Sequence, residues 1–164
     1  MDVSESSQGG VLAASRGNWN FGAGYTVYGD GVSASLSLTR TLPWTFGVEG
    51  LSMSAGPALG FGGGDLSEVE LGLNVGIQRY IAFDWGAVFL QASAGTNRKN
   101  YFTQAQLTLA DPGLTFAISR GASLDYEETS LSVSKQLGDG PVSIRAGYRF
   151  NADEVFVGFS VNTF

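Results

Sequence analysis

Every second residue between Asn18 and Val27 is apolar, and this two-residue period constrains the chain more than any other feature. Trp19, Phe21, Ala23, Tyr25 and Val27 share one face, with Asn18, Asn20, Gly22, Gly24 and Thr26 on the other. Such alternation is the signature of a β-strand with one apolar side. It recurs as Val32, Ala34, Leu36 and Leu38 against Ser33, Ser35, Ser37 and Thr39, and as Val69, Leu71, Leu73, Val75 and Ile77 against Glu68, Glu70, Gly72, Asn74, Gly76 and Gln78. Val142, Ile144, Ala146, Tyr148 and Phe150 against Ser143, Arg145, Gly147 and Arg149 repeat it again, and so does the end of the chain, VFVGFSVNTF.

Turn-forming stretches separate these runs: YGDG, TLPW, TNRKN, ADPG, GDGP and NADE. Gly, Pro, Asn and Asp there supply the backbone conformations that reverse a chain. The pattern predicts about ten strands, near 18–28, 32–40, 44–55, 66–78, 85–96, 100–109, 114–122, 128–137, 142–150 and 154–163, with eight as the alternative count. In the third, Trp44, Phe46 and Val48 lose phase with Leu51, Met53 and Ala55, which predicts a bulge near Gly50. AVFL at 87 to 90 is apolar on both parities and leaves the direction of Phe89 open. GFGGGD at 60 to 65 reads as a long flexible hairpin loop, because a phosphate loop needs a helix after it and a strand pattern resumes instead.

Composition decides which face is outside. Charged residues are 15% of the chain, hydrophobic residues 43%, and 24 of 164 are glycine. A soluble sheet covers its outer face with long charged side chains, whereas the polar face here is Ser, Thr, Gly, Asn and Gln. That inverted arrangement predicts a closed antiparallel up-and-down transmembrane β-barrel, apolar outward and polar inward, whose backbone groups pair within the protein. The rival folds are a β-sandwich and a soluble ten-stranded lipid-binding barrel, with its apolar face around a ligand.

The charges follow the same logic. On the apolar parity stand Arg40, Arg79, Arg120 and Lys135, all near strand ends where a long stem reaches the interface. With an even strand count both termini share a side, and Pro43, Pro112 and Pro141 fall in tight turns on that side. Trp19, Trp44 and Trp85 collect there as one half of an interfacial aromatic belt. The longest connection, near 56 to 65, is expected on the opposite side.

Several classes drop out. A net charge of -6 with nine scattered Lys and Arg excludes nucleic acid as a partner. There is no cysteine for disulfides or thiolate metal sites, and no histidine. No stretch approaches the roughly 18 apolar residues of a transmembrane helix. MDVSESSQGG has no positive region and no apolar run, so it is not read as a signal peptide. Residues 1–17 are expected to be a flexible segment preceding a barrel of residues 18–164.

Over residues 18 to 164 the chain resembles a small bacterial outer-membrane β-barrel, an architecture rather than one member of it. The resemblance implies an outer-membrane location, with the short turns periplasmic and lipid bilayer and lipopolysaccharide as surroundings. It also implies that the terminal aromatic, Phe164, is presented to the barrel-assembly machinery through the last strand.

Inward parity places Glu49, Glu68, Glu70, Arg145 and Arg149 in the lumen, where Glu68 and Glu70 are expected to meet Arg145 and Arg149 across it. Such a charged lumen suits a narrow passive pore for small polar solutes, or a structural membrane barrel. Barrels of this class that act as enzymes resemble one another in relying on histidine, so the chain is read as a non-enzyme with no cofactor, metal or catalytic set. LDYEET places Asp125, Glu127 and Glu128 in an outer acidic loop. The alternative function is a binding barrel acting through outer loops at 56–65 and 120–128.

Overall fold

The computed structural model describes residues 1–29, 31–124, 126–138 and 140–162. Among them twelve strands run in chain order: β1 (Asp2–Ser4), β2 (Ser7–Arg16), β3 (Trp19–Tyr28), β4 (Gly31–Leu42), β5 (Leu51–Gly62), β6 (Glu68–Phe83), β7 (Gly86–Gly95), β8 (Tyr101–Leu109), β9 (Leu114–Ser123), β10 (Tyr126–Gln136), β11 (Val142–Arg149) and β12 (Glu154–Val161). Each pairs antiparallel with its neighbours in sequence, and β1 pairs with β12 to close the barrel. The antiparallel ladders carry the sequence alternation into space. The registers Trp19↔Arg40, Leu71↔Leu59 and Val157↔Ala146 keep apolar parities together on the outer side.

That side faces away from the lumen. Leu71 on β6 is 77% exposed, and Ile118, Leu131, Ile144 and Val157 lie open on β9 to β12, the reverse of a soluble carrier whose apolar face is buried.

The count is twelve rather than ten because residues 1–17, expected to be a flexible segment, form β1 and β2. Ser7 to Arg16 pair with Tyr28 to Trp19 along the whole of β3, and Asp2, Val3 and Ser4 pair with Gly158, Val157 and Phe156. Their Ser and Gly content hid them, since Gln8, Gly10, Leu12 and Ala14 make a weak apolar face. Two strands added ahead of the rest leave the parity of the connections unchanged. Met1, Asn162, Pro43, Pro112 and Pro141 therefore share one rim, here called the terminal rim; the other is the distal rim. β1 is short, so among the described residues β2 from Val11 to Arg16 has no ladder partner on that flank.

Two further expectations are corrected around β5. The strand expected over 44–55 begins only at Leu51; residues 43–50 are the longest connection, and they lie at the terminal rim. Positive φ at Phe46 (49°), Gly47 (72°) and Gly50 (71°) turns the chain, which accounts for the lost phase. Gly50 cannot be replaced cheaply, because a Cβ there would strike the Tyr80 carbonyl. The expected long loop at 56–65 shrinks to 63–67, since β5 continues through Gly62 and pairs with β6 throughout. Pro57 sits on the outer parity of β5, where the ladder to β4 is interrupted between Ser37↔Ala58 and Arg40↔Ala55, as a residue without an N–H requires.

Candidate functional site

The lumen has two unlike walls. Along β2, β3 and β4 the inward positions carry Gly9, Ala13, Gly22, Gly24, Ser35 and Ser37, and a Cβ on Gly22 or Gly24 would press on the hydroxyls of Ser37 and Ser35 at 2.7 and 2.9 Å. Opposite, β8 to β12 present longer polar groups. A cavity of about 570 Å³ lies against that wall near the terminal rim, lined by Gln104, Gln106, Ser134, Gln136, Ser143 and Arg145 among others. A second space of about 280 Å³ lies nearer the distal rim, between the small-residue wall and the turn after β7.

Phe156 organises the charged part of the polar wall. It points inward from β12 opposite Gly147 and is 2% exposed, with the guanidiniums of Arg145 and Arg149 at 5.3 and 5.2 Å from its ring centroid. Arg145 pairs with Asp2 at 3.4 Å and donates to the Ser132 hydroxyl at 3.3 Å. Arg149 pairs with Glu154 at 3.1 Å and donates to the hydroxyls of Ser4 and Ser7. Glu154 in turn accepts from Ser4 and from the Ser6 amide and hydroxyl, so β1, the turn after it, β11 and β12 are tied together by one charge cluster.

The connection between β7 and β8 folds inward. Asn97 and Arg98, in a short 3₁₀ turn over Asn97–Lys99, are 4% and 8% exposed. Thr96 anchors the turn to β6 through paired bonds with Leu73, both 2.9 Å. Glu70 accepts from the Arg98 amide, Glu68 accepts from its guanidinium at 3.2 Å, and the Leu124 amide donates to its carbonyl at 3.1 Å. The glycines of β5 and β6 make this possible: a Cβ at Gly62 would collide with the Arg98 guanidinium, and one at Gly72 with Thr96 and Asn97. Positive φ at Arg98 (52°) and Lys99 (46°) shows how tightly the turn is bent. It stretches from β6 to the end of β9 and narrows the lumen near the distal rim.

Tyr28 of β3 and Tyr126 of β10 reach inward at that rim from strands nearly opposite in the barrel, and their ring centroids lie 6.0 Å apart.

The residues singled out from sequence are distributed as follows. Glu68 and Glu70 face inward but engage Arg98, while Arg145 and Arg149 engage Asp2 and Glu154; the expected pairing across the lumen is not formed because each set has a nearer partner. Glu49 lies exposed in the 43–50 connection, outside the lumen, where its carbonyl accepts from Arg79 at 3.3 Å. Trp19, Trp44 and Trp85 sit at the terminal rim, each about half exposed. Trp85 stacks on Phe83 at 4.9 Å and Arg40 lies over Trp19.

The acidic trio does not form one loop. Glu127 pairs with Arg120 on the outer face, and Glu128 is buried, accepting from the amides of Thr129, Asn151 and Ala152. Asp125 and Phe164 lie outside the described residues. Phe89 falls on the inward parity, opposite Tyr80. Sequence reasoning missed Arg98, Asp2, Phe156, Tyr28 and Tyr126. The inward glycine series 60, 62 and 72 was the available signal for Arg98, since such a bare strip of wall implies that backbone approaches it.

A closed antiparallel barrel, apolar outside and polar inside, with each strand joined to the next by a short connection, is the architecture of a transmembrane β-barrel. Among solved structures the chain is similar to the KdgM porin in complex with disordered oligogalacturonate, with a TM-score of 0.61 and 10% identity over 99% of this chain and 96% of that one. At that identity the likeness is one of fold. Neither a protein-family model nor a curated protein matches the chain.

Proposed function

We propose that the protein is an outer-membrane porin, a non-enzymatic passive pore for small polar solutes. The observation that carries this reading is the lumen itself, where a polar cavity of about 570 Å³ lies inside a barrel whose outer surface is apolar. Lipid contacts that outer surface, and Trp19, Trp44 and Trp85 anchor the terminal rim at one interface. By analogy with outer-membrane barrels the terminal rim faces the periplasm, the distal rim faces lipopolysaccharide, and the C-terminal strand is read by the assembly machinery. The inward turn at 96–100 and the Tyr28 and Tyr126 pair restrict passage to small or extended solutes. The similarity to the KdgM porin supports the pore in architecture only.

The test is conductance of the purified, detergent-folded barrel in planar bilayers. Discrete channel steps support the pore, and a barrel that inserts without conducting rejects it.

A further inference from the structure

Resting on that pore reading, we infer that the solutes are uncharged and hydroxyl-rich, that cations pass more readily than anions, and that polyanions are excluded. The inference comes from how the inward charges are spent. Each of the guanidiniums of Arg98, Arg145 and Arg149 lies against a carboxylate, of Glu68, Asp2 and Glu154 in turn. Arg98 is 8% exposed, the Arg149 and Glu154 side chains are 12% and 9% exposed, and Arg145 and Asp2, at 27% and 24%, form the more open pair. A buried guanidinium matched to its own carboxylate projects little field into the passage, so a row of such pairs does not attract a polyanion.

The acids exceed the bases. Asp2, Glu68, Glu70, Glu128 and Glu154 stand on the inward parity against Arg145, Arg149 and the two bases of the inward turn, Arg98 and Lys99, so five acids against four bases leave the described interior slightly negative. Low-dielectric walls concentrate that excess in the lumen, as rings of Asp and Glu do in cation channels. Arg145, held by Asp2, is the one charged group among the described residues that line the cavity; along the rest of it Gln104, Gln106, Gln136, Ser134 and Ser143 offer carboxamides and hydroxyls. Each of these groups both donates and accepts, as a sugar hydroxyl does, and a carboxylate can only accept. An oligogalacturonate, with a carboxylate on every sugar ring, is the opposite kind of solute.

Two measurements test this on the full chain: the zero-current potential in a KCl gradient across a planar bilayer, and swelling of proteoliposomes in sucrose against digalacturonate of similar size. The expected results are a potential of the sign carried by K⁺ and faster swelling in sucrose. Asp2→Asn and Glu154→Gln, each stripping an arginine of its counter-charge, are expected to shift the potential toward that of Cl⁻. Asp2→Asn serves if loss of the Glu154 bonds prevents folding, which electrophoretic mobility with and without boiling reveals. Channels with a Cl⁻ preference, or faster entry of digalacturonate, overturn the inference and leave the pore standing. A folded barrel without channels overturns both.

Discussion

The ring of Phe156 lies over Gly147, its cross-strand partner, in the space a side chain would otherwise fill. An aromatic ring laid over a strand glycine restores the packing that glycine lacks, and the flanking guanidiniums of Arg145 and Arg149 add cation–π attraction. Phe156→Ala is expected to cost about 3 kcal/mol or more of barrel stability, and Gly147→Val about 1–3 kcal/mol by overpacking. Urea unfolding in liposomes, followed by tryptophan fluorescence, checks both.

The turn at 96–100 is held by Glu68 and Glu70 and seated on bare glycine. Arg98→Ala removes the side chain that fills the space over Gly62 and is expected to raise single-channel conductance. Gly72→Val is expected to lower it, because the added side chain pushes Thr96 and Asn97 toward the axis. Opposite signs from two changes at one contact identify the turn as the constriction.

Tyr28 and Tyr126 make a second narrowing through their rings. Tyr28→Ala is expected to increase conductance and the swelling rate in larger sugars, whereas Tyr28→Phe, which keeps the ring, leaves both near wild type. Equal effects of Ala and Phe would show that the hydroxyl, not the ring, matters.

The outer face can be probed by depth. Leu131 stands at the middle of β10 on the outer parity, and Val142 opens β11 at the terminal rim. If lipid surrounds the barrel, Leu131→Arg costs about 2–4 kcal/mol and Val142→Arg about 0–1 kcal/mol. Refolding titrations into liposomes measure the difference, and equal costs would reject a membrane-spanning β10.

The placement of charges on the apolar parity was legible in advance, because a long cationic stem needs a nearby polar end. Arg79 reaches the Glu49 carbonyl, Lys135 the Pro112 carbonyl, and Arg120 the Tyr101 hydroxyl and Glu127. Each is satisfied by a turn or strand end close in sequence or one strand away. The partners of the inward charges were not legible in this way. Asp2 and Arg145 are separated by nearly the whole chain and meet only because β1 completes the ring beside β12.

Alternation, turn chemistry and charge scarcity determined the strands from β3 onward apart from β5, which face of most of them is apolar, and which turns share a rim with the termini. These are properties of neighbours in sequence, repeated along the chain, and a local pattern can specify them. Tertiary structure alone decided that residues 2–16 join the sheet, that β5 runs on through its glycines, and that Arg98 enters the lumen to meet Glu68. Each of those outcomes depends on which strand lies alongside or across the barrel, and ring closure fixes that through pairings no single segment encodes.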